Sequence, residues 1–139
     1  MNIIQKEVSL KPRSRGFHLI TSELESLLPE IRGIESGLAF IHLKHTSASL
    51  TMNENADPDV RIDMEAIFNN IVREKEPWYV HTFEGPDDMP AHAKSSILGP
   101  QLTVPVTNGC FNLGTWQGIY LCEHRNRGGA RRAVITILC

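Results

Sequence analysis

The sequence predicts an α+β fold, with mixed, mostly antiparallel sheets packed against two or three helices in a single domain over residues 1–139. Three observations carry this expectation. Short apolar runs bounded by turn residues recur along the chain, and several follow one another in the last third. One segment, residues 57–74, keeps a helical apolar period throughout. No repeat, low-complexity tract or linker-like run divides the chain.

Taken in order, residues 2–10 and 16–20 read as strands around the polar turn 11–15. Residues 21–33 predict a short helix, with Ser22 as its cap, Glu25 completing a capping box and Gly33 as its stop. Residues 36–45 form a strand with apolar side chains on both faces, the mark of a strand covered on both sides. In the helix over 57–74, Asp57 is a good N-cap and Pro58 suits the first position. Val60, Met64, Ile67, Phe68, Ile71 and Val72 give that helix a continuous apolar stripe to lay on a sheet.

Residues 74–91 form a long loop with three prolines, Trp78, Tyr79 and four acids after Lys75. Loops of this length inside compact domains are functional or disordered, and the aromatic content argues against disorder. A brief helix over 90–99 starts near Pro90 and stops at Gly99. Strands follow at 101–106, 110–114, 117–124 and 131–138, with an Asn108–Gly109 hairpin turn and a second turn at 125–130.

Fourteen basic against sixteen acidic residues leave a net charge of −2, so no global field draws the chain to nucleic acid or an anionic membrane. The three cysteines, Cys110, Cys122 and Cys139, have no CxxC spacing, which argues for a reducing compartment rather than a disulfide framework. With neither a signal-peptide h-region nor a membrane-length apolar window, a cytoplasmic protein is expected.

The chemistry-bearing residues concentrate in four places. His45 and His42 lie at or beyond the end of the 36–45 strand, His81 lies in the long loop, and His92 opens the short helix, the last two beside Glu84, Asp87 and Asp88. Three separated histidines with a water or carboxylate match the open site of a catalytic zinc, and half-buried structural histidines are the alternative. In the stretch HTSASLTMNENADPDV, from His45 to Val60, the missing glycine and distant glutamate exclude an EF-hand. Asp57 is committed to capping, whereas Glu54 has no such duty and becomes the candidate general base, with His45 beside it as a catalytic candidate. Thr46 and Asn53 join them as substrate contacts. Lys94 and Ser95 in the first turn of a helix, and Arg125 in a glycine-containing turn, offer anion binding. Trp116 and Gln117, flanked by glycines, offer a stacking surface for a flat ligand.

The stretches HTSASLTMNENADPDV, HTFEGPDDMPAHAKSSILG and LGTWQGIYLCEHR resemble those of the YjbQ family, also described as secondary thiamine-phosphate synthases. The resemblance runs over nearly the whole chain. It implies a homotrimer with a divalent-metal site that by matching motif uses His45, His81 and His92, and a weak thiamine-phosphate synthase activity. That activity would join an aminopyrimidine pyrophosphate to a thiazole phosphate, with Trp116 stacking the pyrimidine. A three-histidine site suits zinc better than magnesium. The alternatives are a zinc-dependent hydrolase of a small phosphorylated or amide substrate with Glu54 as base, and a non-catalytic trimeric binding protein. His18, His42 and His124 receive no role.

Overall fold

The computed structural model describes residues 1–139, and its eight strands form two sheets in which every pairing is antiparallel. In chain order the elements are β1 (Ile3–Leu10), β2 (Gly16–Leu19), α1 (Thr21–Leu27), a 3₁₀ turn (Pro29–Gly33), β3 (Ser36–Leu43), β4 (Ala48–Glu54), α2 (Pro58–Ile71), α3 (Asp88–Leu98), β5 (Gln101–Thr107), β6 (Cys110–Phe111), β7 (Gln117–Glu123) and β8 (Arg131–Leu138). The larger sheet runs β1-β8-β3-β5-β6 and the smaller runs β2-β7-β4. An α+β architecture is what the chain adopts.

The two sheets face each other across one apolar layer. Ala39, Ile41 and Leu43 of β3, Val104 and Val106 of β5, and Ile135 and Ile137 of β8 meet Ala48 and Leu50 of β4 and Ile119 and Leu121 of β7. The alternate residues Phe17, Tyr120 and Cys122 point the other way, where Met64, Phe68 and Leu98 pack on them. The small sheet is thus the middle of three layers, which is why β7 is buried on both faces. Burial also pushes the Cys122 thiol up to about 12, leaving it an inert core group.

Several local expectations need correction. Residues 48–54 form β4, a strand partly hidden in the sequence because its exposed end, Asn53 and Glu54, lacks an apolar alternation. The predicted 21–33 helix is two pieces: Pro29 has no N–H to donate and crowds the preceding turn, so α1 stops and a 3₁₀ turn resumes. Neither Ser22 nor Glu25 caps α1; Ile20 holds the cap position, and Thr21 Oγ1 instead accepts from Ile119 N–H at 2.9 Å. The 57–74 helix ends at Ile71, and although Asp57 Oδ1 does accept from Asp59 N–H at 2.9 Å, no residue of α2 is buried. Met64 and Phe68 touch the sheet, while Ile62, Ile67 and Ile71 remain exposed. The Asn108–Gly109 turn is as read, with φ of 50° and 80° at its two central residues, as a type I′ hairpin requires.

Candidate metal and ligand site

Asp88 and His92 occupy one face of the first turns of α3, four residues apart. His81 arrives from the long loop between α2 and α3. Asp88 Oδ2 lies 2.7 Å from His81 Nε2 and 3.2 Å from His92 Nε2, and the two rings stand 5.4 Å apart. The three ligand atoms all lie within 4.8 Å of one another. Asp88 is buried, His92 is partly exposed and His81 is open to solvent, so the cluster has a dry back and a wet front.

The hydrogen bonds around His92 decide what this cluster can hold. Its Nδ1 lies 2.8 Å from the Thr46 carbonyl oxygen and its Nε2 faces a carboxylate. Both neighbours are acceptors, and a neutral imidazole carries one proton. The Nδ1–H donates to Thr46, and Nε2 then meets Asp88 lone pair to lone pair. A cation between them, or a proton on the ring, resolves the clash. Bonds of zinc type, about 2.0–2.2 Å long, need ligand atoms about 3.4 Å apart, so only a small opening of the His81–Asp88 contact is required. Two imidazoles, one carboxylate and an open front fit a divalent metal.

A second layer fixes Asp88. Arg125 donates from Nη1 to Asp88 Oδ1, from Nε to Asp87 Oδ2 at 2.9 Å and from Nη2 to the Glu84 carbonyl at 2.9 Å. Asn126 N–H adds a bond to Asp87 Oδ2 at 2.9 Å. Burial by itself would raise the Asp88 carboxyl, but the His81 hydrogen bond and the Arg125 guanidinium hold it below its ordinary value, hence ionised. With Oδ1 held by Arg125, only Oδ2 turns to the histidines. Arg125→Met is therefore expected to weaken zinc binding about 10–100-fold, in line with other supporting groups around metal ligands, as read by competition with a chromophoric chelator.

On the His81 side the cluster opens into a cleft of about 390 Å³, whose lining includes Lys75, Glu76, Tyr79, Thr82 and Met89. That size suits a small organic molecule.

A family model described as "UPF0047 protein YjbQ-like" matches residues 6–139. The chain belongs to this YjbQ-like UPF0047 family. It is 50% identical over 133 residues to the UPF0047 protein YjbQ of Salmonella typhimurium, covering 96% of each chain. It is 48% identical over 107 residues to the UPF0047 protein YugU of Bacillus subtilis, covering 75% of this chain and 76% of the relative. Among solved structures, a YjbQ/UPF0047 protein from Clostridium acetobutylicum superposes with a TM-score of 0.80 at 36% identity, covering 96% of this chain and 99% of the other. A YbjQ-like protein of unknown function from Sulfolobus solfataricus superposes at 0.83 with 22% identity, covering 98% and 96%, and shows the fold.

The residues singled out in this family member's sequence divide into two groups. His81 and His92 come together, but the third member is Asp88 rather than His45. His45 stands apart: its Nε2 accepts from Arg132 N–H at 2.8 Å and its Nδ1 faces Arg131 Nη1 at 3.4 Å. Burial, then the Arg131 charge, lowers its pKa, so it is a neutral ring whose lone pair is already used. Asp88 was legible in principle, since an acid and a histidine four apart on a helix share a face.

Glu54 also changes role. Its Oε2 accepts from Asp57 N–H at 3.0 Å, a capping duty at the start of α2. It sits at the end of β4 far from Thr46, and a strand of this length spans about 20 Å. Asn53 is at the same end, with Oδ1 accepting from Glu54 N–H at 2.7 Å. Trp116 is exposed there, and Gln117 Oε1 accepts from Gly114 N–H at 3.1 Å. β4 and β7 pair Glu54 with Gln117 and Ala48 with Glu123, so one end of the ladder carries Glu54, Asn53, Trp116 and Gln117 while the His81–Asp88–His92 cluster lies at the other. Within one protomer these are separate places.

The expected anion ligands are engaged in the fold. Lys94 is fully buried and donates to Asn69 Oδ1 at 2.6 Å; burial, with the Arg15 charge, lowers its pKa. Ser95 Oγ donates to the Ala48 carbonyl at 2.8 Å. Arg125 is spent on Asp87 and Asp88, as described.

His124 lies beneath α3 beside Lys94. Its Nε2 meets Ser49 Oγ at 2.8 Å, and its Nδ1 is buried with no partner. Burial, then the charges of Lys94, Arg15 and Arg131, push its pKa from 6.5 down to about 3. As pH falls below 6.5 the unfolded chain takes up a proton that the folded chain refuses. Stability from this residue is complete above pH 6.5 and is lost progressively as pH falls from 6.5 toward 3, by about 2 kcal/mol at pH 5. Urea titrations at pH 7.5 and 5.0 should show that loss, and a His124→Gln variant should show a correspondingly flatter pH dependence.

Proposed function

We propose that this protein is a metal-dependent enzyme of small-molecule hydrolysis, with His81, Asp88 and His92 as the ligands of a divalent ion, zinc in preference to magnesium. The observation that carries the proposal is His92, set between the Thr46 carbonyl and the Asp88 carboxylate so that its Nε2 requires a cation or a proton opposite it. A zinc ion at these ligands would supply a Lewis acid and would lower the pKa of a water at its open position. The chain's own contributions are distinct. Thr46 fixes the His92 tautomer, Arg125 aims the Asp88 oxygen, and the cleft beside His81 receives the substrate.

The thiamine-phosphate synthase-like transfer implied by the sequence resemblance asks for free cations around a departing pyrophosphate. Lys94 and Arg125 are both committed within the fold, which leaves Lys75 as the one unpaired lysine or arginine lining the cleft and favours the hydrolytic reading. A homotrimer belongs to the same proposal: Ile62, Ile67 and Ile71 on α2, with Trp78, Val80 and Phe83 in the loop that bears His81, are large apolar side chains left exposed, which a partner copy would cover. No helix is long and apolar enough to cross a membrane.

The test is elemental analysis of untagged protein, followed by hydrolysis assays of the zinc-loaded form on panels of small amides and phosphate esters. About one zinc per chain with zinc-dependent turnover is expected. Absence of metal from protein refolded with excess zinc sinks the proposal, and metal without turnover would move the protein to the class of binding proteins. Sedimentation equilibrium reads the oligomeric state, and a monomer would remove the trimer.

A further inference from the structure

The cleft beside His81 carries two charges that the fold leaves unused. Lys75 and Glu76 are adjacent, both line the cleft, and neither side chain makes a hydrogen bond or ion pair, not even with the other. The charges of the cluster itself are committed, Asp87 and Asp88 to Arg125, and Glu74 next in the chain is held by Arg15. Lys75 also holds a left-handed backbone, with φ of 58°, a conformation unfavourable for a side-chain-bearing residue that persists where the surroundings impose it. Tyr79 turns its hydroxyl away, donating to the Arg73 carbonyl at 2.6 Å. The phenol ring and the Met89 thioether, with Pro86 beside them, are the cleft's apolar elements.

We propose that the cleft selects a small zwitterion with a flat or aliphatic apolar body, its anionic group set against Lys75 and its ammonium against Glu76. Because the two charges come from neighbouring residues, the ligand must carry its own two charges close together, as an α-amino acid or an aminophosphonate does. The body then lies along Tyr79 and Met89 and brings the molecule to the exposed face of His81. A ligand with one charge gains only one of the two charge-assisted contacts that Lys75 and Glu76 offer, which is how the site would favour a zwitterion over simple amines and simple acids. This inference rests on the His81–Asp88–His92 cluster being the reactive centre of the proposed function, since it names the class of molecule presented there.

The experiment uses three probes that share a ring: phenylalanine, 3-phenylpropanoate and 2-phenylethylamine. Each is titrated by calorimetry into zinc-supplemented wild-type protein and into Lys75→Ala and Glu76→Ala, with metal content measured on the same samples. Phenylalanine is expected to bind at least about tenfold tighter than either singly charged probe, as a charge-assisted hydrogen bond supplies. Lys75→Ala should reduce phenylalanine to the level of the amine, and Glu76→Ala should reduce it to the level of the acid. Equal affinity for all three, no binding of any up to about 10 mM, or indifference to both substitutions overturns the inference. Metal content separates the two claims. Charge selectivity without zinc would sink the catalytic reading alone, and zinc without charge selectivity would sink the zwitterion alone.

Discussion

Asp88→Asn protein is expected to fold and to lose zinc, with affinity falling by more than about 100-fold, the upper end of what even supporting groups around metal ligands contribute. The amide keeps the size of the carboxylate, so α3 and the packing behind it have no steric reason to change. Arg125 retains Asp87 Oδ2 and the Glu84 carbonyl, so its guanidinium is not left without partners. What the substitution removes is the negative charge at Oδ2 that His81 Nε2 and His92 Nε2 both face. Zinc content and thermal unfolding measured together decide the matter. Lost zinc with an unchanged midpoint in the metal-free form supports a ligand role, whereas retained stoichiometric zinc would place the metal elsewhere.

Glu123→Ala is expected to destabilise the fold by about 3–5 kcal/mol, because it strands a buried charge. Glu123 on β7 and Arg131 on β8 are both buried, and Arg131 reaches across from the larger sheet to the smaller. The pair is bidentate, Nε to Oε1 at 2.7 Å and Nη2 to Oε2 at 2.6 Å. Arg125 N–H donates to Oε2 as well, and Arg131 Nη2 donates to the Ser47 hydroxyl at 3.1 Å. The packing allows no slack: a Cβ on Gly128 would lie 2.2 Å from Glu123 Oε1. Removing both partners in a Glu123→Leu/Arg131→Met double variant should recover most of the loss, since the cost comes from the unpaired charge. Urea unfolding of Glu123→Leu, Arg131→Met and the double variant reads the coupling, and additive losses would show that the pair does not act as a unit.

Much of the secondary structure could be read locally. The helix after Asp57–Pro58 follows from a cap and a period, and the hairpin at Asn108–Gly109 from two residues that tolerate positive φ. β4 was legible in part, because Ala48, Leu50 and Met52 alternate with Ser49 and Thr51, while its polar end at Asn53 and Glu54 hides where the strand stops. His81 and His92 could be named as candidates from their acidic neighbours. Their partner could not be chosen from residue types, because His45 and Asp88 are both plausible ligands and only the path of the chain determines which one reaches them.

The chain by itself determined an α+β class, the positions of most turns and helices, its place in the YjbQ-like family, and a set of histidines and carboxylates suited to a metal. These depend on backbone preferences and apolar periodicity within a few residues, or on long stretches of shared sequence. Tertiary structure alone decided which polar groups were already satisfied. It gave Lys94 to Asn69, Ser95 to Ala48, Glu54 to the start of α2 and His45 to the backbone of Arg132. A side chain's availability for chemistry depends on partners that arrive from 3 to 87 residues away in these four bonds, and in three of them no local pattern encodes that meeting.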